Sequence, residues 1–172
     1  MPPPSPGTGA VPPPDPSGID SVYVLESDGP PPDDTVVTIK SGQARTILLR
    51  RGAPDNSLFG TVSFPDSSLV ATSGDSAQVT LRTRPGRYGL DVETDGRLVR
   101  PARLEFSYAV HFVVPAGARE RFGNELGFER ALFIGRQQDR RVVFLPTARP
   151  GSDLTAAAIT APGRYLVGAP RY

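Results

Sequence analysis

One histidine, a run of alternating carboxylates and several arginine clusters are the side chains in this sequence that could do chemistry. His111 lies within Tyr108–Val114 (YAVHFVV). As a general base it would need a nucleophile to deprotonate and an acid to orient it. No G-x-S-x-G elbow or comparable nucleophile motif accompanies it. The expectation is a satisfied or half-exposed strand histidine. Asp91, Glu93 and Asp95 recur at every second residue and would share one face of a strand. A hydrolase needs a carboxylate pair at a set distance across a cleft, and calcium needs several oxygens around a tight loop. Asp91–Gly96 (DVETDG) falls short of both, so a solvated strand face leading into a turn is expected. Asp33 and Asp34 keep a linker soluble.

The arginines cluster at Arg50/Arg51, Arg82/Arg84/Arg87, Arg97/Arg100/Arg103 and Arg136/Arg140/Arg141. Such groups attract phosphate, yet Lys40 is the only lysine, and no RRM-type aromatic signature occurs. Arginine is also enriched at protein interfaces, and that reading is preferred to nucleic acid. Phosphate-cradling glycine loops are absent. With no cysteine, disulfides, thiolate metal sites and thiol catalysis are impossible, and one histidine excludes multi-histidine metal centres. The expectation is therefore no catalytic, cofactor or metal residue.

The elements that would carry these residues divide unevenly. Of 20 prolines, 11 fall within residues 1–34, a stretch with six acids and no base. The other 138 residues hold 19 bases against 12 acids, so an acidic arm of charge −6 precedes a basic body of +7. Residues 1–18 read as a linker or disordered tail favouring polyproline II, and Ile19–Leu25 as a short strand. Residues 35–172 alternate apolar and polar positions in short runs broken by turn residues. Strands are expected at Thr35–Lys40, Ala44–Arg50, Leu58–Phe64, Ala77–Thr83, Tyr88–Glu93 and Ala102–Val114. Four more are expected at Ala131–Arg136, Arg141–Leu145, Asp153–Thr160 and Arg164–Gly168. The one plausible helix is Ala116–Phe122. This pattern predicts an all-β fold, an antiparallel immunoglobulin-like β-sandwich with an extended Pro-rich N-terminal arm.

The order of Gly60–Pro65 (GTVSFP), Ser68-Leu69 and Gln78–Leu81 (QVTL) resembles the opening of the β-sandwich domain shared by ankyrins and netrin receptors. Bacterial envelope proteins carry relatives of that domain. Leu90–Glu93, Pro101–Tyr108, Ala131–Ile134, Val142–Pro146, Ile159 and Gly163–Tyr165 continue the resemblance, over about residues 58–169. Asp66-Ser67 replaces a small Gly-containing turn, Phe144 replaces the usual aromatic in the penultimate strand region, and Pro115–Phe128 is longer than a hairpin. The resemblance implies an interaction module without catalytic residues.

Two segments stand out as partner-binding candidates: Ile19, Val22, Tyr23, Val24 and Leu25 in the arm, and Arg119, Arg121, Phe122, Leu126 and Phe128 in the long loop. Buried aromatics carry much of the energy of an interface, and Pro-rich arms lose little entropy on docking. These residues predict a non-enzymatic structural subunit that docks on protein subunits of a larger assembly. A membrane-bound complex of the respiratory or photosynthetic type is the host in view. The alternative is a free-standing cell-envelope module that binds carbohydrate or protein. An enzyme is the third reading. No run is long and apolar enough to span a membrane. Envelope relatives point to the periplasm or cell envelope, whereas prolines after Met1 in place of an export signal point to the cytoplasm.

Overall fold

In the computed structural model, which describes residues 10–172, strand covers 49% of the described residues and helix 9%, so the protein is all-β. The arm contributes β1 (Ser17–Gly18), a 3-10 turn at Ile19–Ser21, β2 (Val22–Val24) and β3 (Glu26–Ser27). There follow β4 (Thr35–Lys40), β5 (Arg45–Arg50), β6 (Leu58–Phe64), β7 (Leu69–Val70), β8 (Ser76–Thr83) and β9 (Gly89–Thr94). Next come β10 (Arg97–Leu98), β11 (Ala102–Ser107) and β12 (Phe112–Val113), then helices α1 (Ala118–Phe122) and α2 (Glu125–Arg130). The chain closes with β13 (Phe133–Gln138), β14 (Arg141–Phe144), β15 (Leu154–Ile159) and β16 (Gly163–Pro170).

All pairings are antiparallel. One sheet of eight strands runs β1-β14-β13-β16-β9-β8-β4, with β2 pairing on β16 beyond the end of β9. A second runs β15-β11-β6-β5, and β7–β10 and β3–β12 form two small ribbons. Alternation explains the layering. Val79 and Leu81 are buried while Gln78 and Arg82 are exposed, so β8 turns one face inward. Val62, Leu104 and Phe106 from the four-stranded sheet share one core with Val79, Leu81, Leu90, Ile134 and Val167 from the larger sheet. Two sheets closing on a common apolar layer make a sandwich.

The arm is part of this packing. Leu25 has no exposed surface, its N–H donates to Val167 O at 2.8 Å, and its carbonyl accepts from Tyr88 N at 2.9 Å. Pro32 is buried as well, and the Thr83 hydroxyl donates to its carbonyl at 3.0 Å. On the outer face of the larger sheet, Val142, Phe144 and Leu166 form a second apolar cluster with Val22, flanked by Ile19, Val24 and Phe133. The arm is thus the lid of that cluster.

Three expectations are corrected. Ile19–Leu25 is a strand only over Val22–Val24, because Ile19–Ser21 curls into a 3-10 turn whose carbonyl at Ile19 accepts the Val22 N–H. Ala102–Val114 is not one strand. It breaks after Ser107, and His111 takes a left-handed φ of 67°, which turns the chain before β12. Within the expected tail, residues 1–9 lie outside the described residues, while Val11 bridges to Thr147 and Ser17-Gly18 pairs with β14.

Candidate functional site

The two segments singled out for partner binding meet each other at one end of the sandwich. The long loop folds as two short helices. Asn124 caps the second, its side chain accepting from Gly127 N at 2.7 Å. Arg149 closes the other end: Nη1 donates to Glu129 O, and Nη2 to Arg130 O and Leu132 O, each at 2.7 Å. These bonds satisfy carbonyls that a helix C-terminus leaves open. The second helix is thereby held at both ends, and its Phe128 is fully buried.

Tyr23 of the arm packs edge-on against Phe122 at 6.2 Å and Phe128 at 6.5 Å, and those two rings lie 5.9 Å apart. Such edge contacts are each worth about 0.5–1.5 kcal/mol beyond area burial. Arg171 lies over the Tyr23 ring at 4.3 Å, and Arg121 over Phe122 at 4.9 Å, with Arg121 Nε donating to Arg171 O at 2.8 Å. The aromatic anchors expected to enter a partner are therefore occupied by one another. Val22 and Leu25 are spent in the chain's own clusters, and Ile19 and Val24 flank the arm's cluster. Of the expected residues, Arg119, Arg121 and Leu126 remain on the surface, Leu126 at 52% exposure and Arg119 paired with Glu125 at 3.3 Å.

Two clefts flank Pro115 at this end. One, of about 480 Å³, lies between Phe112–Gly117 and the first helix, with Arg119, Glu120 and Glu125 at its rim. The other, of about 490 Å³, runs along β2 and is closed by Pro85–Arg87 and Arg171. Pro115 has a structural reason to stand between them. Continuing the β3–β12 register would place it opposite Val24, past the last pair of Val113 with Glu26, where a residue without an N–H is tolerated.

His111 bolts the arm down nearby. Its Nδ1 lies 3.1 Å from Asp28 Oδ1 of the arm, and its Nε2 makes a closer contact with Asp55 Oδ2. The Asp28 N–H also donates to His111 O at 3.0 Å. Asp55 accepts the Ser57 hydroxyl and, at 3.0 Å, the Ser57 N–H. These bonds and His111 hold its carboxyl down at about 2, the Ser57 hydroxyl contributing most. Gly29 lets the parts come together: a Cβ there would stand 2.6 Å from the His111 ring and 2.8 Å from Arg51 Nη1. Arg51 is buried against the stacked rings of Phe59 and Tyr88, with Nη2 donating to the Tyr88 hydroxyl at 2.7 Å and Nη1 to Pro30 O at 3.3 Å. The Tyr88 hydroxyl in turn donates to Val110 O at 3.0 Å. Burial pushes the Tyr88 phenol up.

The trio of histidine, carboxylate and serine invites comparison with a charge-relay site, and the geometry argues otherwise. A relay needs one imidazole nitrogen on a carboxylate and the other on a nucleophile. Here both nitrogens meet carboxylates, and Ser57 donates to Asp55. Asp28 and Asp55 sit at opposite nitrogens and share no coordination point with the ring. Among the described residues no group of three or more His, Asp or Glu side chains could hold a metal ion.

Asp91, Glu93 and Asp95 and several of the clustered arginines are held by ion pairs or by hydrogen bonds to the backbone. Asp91 meets Arg84 at 3.4 Å and Arg164 at 4.0 Å, Glu93 takes Arg82 on both oxygens at 3.1 Å, and Asp95 Oδ1 accepts from Gln78 N at 2.8 Å. Arg140 pairs with Asp20 at 2.8 Å, and Arg136 donates to Pro162 O at 2.9 Å. Asp28, Asp55 and Arg149 were not singled out by the sequence, and Arg51 only as half of an arginine pair. Asp28 and Asp55 are 83 and 56 residues from His111, and only the Asp-x-Ser spacing of Asp55 and Ser57 carries a local signal.

No family model, no curated protein and no solved structure matches the chain.

Proposed function

We propose that this protein is a non-enzymatic β-sandwich subunit that docks on protein subunits of a larger assembly through the end built from the arm and the two helices. The observation that carries this reading is the interlock of Tyr23 with Phe122 and Phe128. Two segments about a hundred residues apart are fixed against each other, which presents two clefts, the exposed Leu126 and a charged rim as one rigid surface. A preorganised surface gives up little entropy on association. The engagement of both His111 nitrogens by carboxylates supports a role for that residue in holding the arm. The immunoglobulin-like classification, and kinship with the domain of ankyrins and netrin receptors over residues 58–169, belong to the same proposal.

Removing the arm would strip Leu25 from the core, so truncation would test folding and not docking. Instead, the tagged full-length chain is purified from its native cells with Leu126→Asp and Arg119→Glu introduced together. Proteins that co-purify with the wild type are expected to fall about ten-fold in the variant while circular dichroism stays unchanged. Equal recovery would refute docking at this end, and would favour a free-standing module.

A further inference from the structure

A second surface lies on the opposite sheet. β5 is an edge strand: among the described residues β6 is its only strand partner, and the backbone groups on its other side meet no partner there. Four of its six residues are exposed, including Leu48 at 53%. Arg45 and Arg50 stand at its two ends, and neither has a carboxylate partner among the described residues. Arg50 Nη1 donates to Asn56 O at 3.3 Å. Of the other sheet ends among the described residues, β15 is bridged at Ala156 by Ala148, β1 is two residues long, and β4 lacks this signature, with Asp34 beside one end paired to Arg82 at 3.6 Å and Lys40 at the other.

We infer that β5 binds an extended acidic segment of a partner protein by strand addition. Main-chain hydrogen bonds supply the affinity and the side chains set the choice. In an antiparallel six-residue overlap, directly opposed residues share a face, so a peptide's first and last residues would meet Arg50 and Arg45. Carboxylates belong at both positions, with an apolar residue opposite Leu48. A second copy of this chain is a poor occupant, because in the same overlap each Arg45 would oppose an Arg50. The bulge between Leu49 and Arg50 limits the usable length to about the span from Arg45 to Leu49 and the Arg50 side chain beyond it.

The probe is the fluorescein-labelled peptide Glu-Val-Val-Val-Thr-Glu, compared with its counterpart carrying lysine at both ends. Against the full-length protein, the acidic peptide is expected to bind about ten-fold more tightly by fluorescence anisotropy. By hydrogen exchange, the β5 amides that point away from β6 should become protected when it binds. The double variant Arg45→Glu with Arg50→Glu should reverse the preference between the two peptides. No added protection in β5 at millimolar peptide would overturn the proposal, and so would a double variant with unchanged preference. The Leu126 and Arg119 variant lies on the other surface and should leave peptide binding intact, so this test and the docking test fail separately.

Discussion

Replacing Leu25 with alanine tests whether the Pro-rich arm is an appendage or part of the folding unit. Leu25 is fully buried, and its backbone is pinned between Val167 and Tyr88 by bonds of 2.8 and 2.9 Å. The site therefore has little freedom to collapse into the space left by the lost side chain. Leu→Ala changes in cores cost about 2–5 kcal/mol, the larger values going with cavities that persist. About 3 kcal/mol is expected here. With a urea m-value of about 2 kcal/mol per molar, the unfolding midpoint should drop by roughly 1.5 M. Val36, which is 57% exposed, is the control, and Val36→Ala should change stability by less than about 0.5 kcal/mol. Circular dichroism and tyrosine fluorescence should report one coincident transition for both variants. A midpoint change under about 0.3 M for Leu25→Ala would refute the reasoning, as would an early transition confined to the arm.

Two further outcomes follow from the bolt at His111. The Asp55 carboxyl is lowered to about 2 from an ordinary 3.8, so its contribution is fully present above about pH 4 and fades as the pH falls through about 2. The protection factor of the Asp28 amide, its exchange rate corrected for the intrinsic pH dependence, should fall across that window in the wild type, and Asp55→Asn should abolish the acid step; an identical profile in the variant would count against the bolt. Gly29→Ala drives a methyl into His111 and Arg51, at 2.6 and 2.8 Å, and should cost about 1–3 kcal/mol, or roughly 3–9 °C in Tm. Gly18→Ala, whose nearest contact would be 3.9 Å away, should be nearly silent in the same scan.

The strands of the body were legible because a half-buried strand writes its period directly into the sequence. Thr35–Lys40 and Leu58–Phe64 are observed with the bounds that alternation predicts. The errors arise where a local pattern is overruled by something distant. Ala102–Val114 reads as a continuous strand, and the turn at His111 becomes intelligible only with Asp28 and Asp55 in place. Glu125–Arg130 reads as loop because six residues make a marginal helix alone, and its C-terminal carbonyls are satisfied by Arg149, 19 residues after the helix ends. The partner-binding candidates show the same limit. Composition identifies Tyr23, Phe122 and Phe128 as aromatics in need of burial, but it does not say that they bury one another.

The opposed charges of arm and body invite an electrostatic account of how the arm is held, and the geometry assigns them a lesser part. Three of the arm's six acids are answered by the body: Asp20 by Arg140, Asp28 by His111 and Asp34 by Arg82. The Asp20–Arg140 pair has both side chains more than four-fifths exposed, and the Asp34–Arg82 pair at least half. Exposed pairs of this kind contribute about 0–1 kcal/mol each. Burial of Val22 and Leu25, by contrast, removes two large apolar side chains from water at about 1.5–3 kcal/mol apiece. The apolar contacts therefore hold the arm, and the exposed charge pairs add little to them. The proline content serves the same end, since residues with a preset φ lose less chain entropy when Ala10–Asp34 is laid along the sheets.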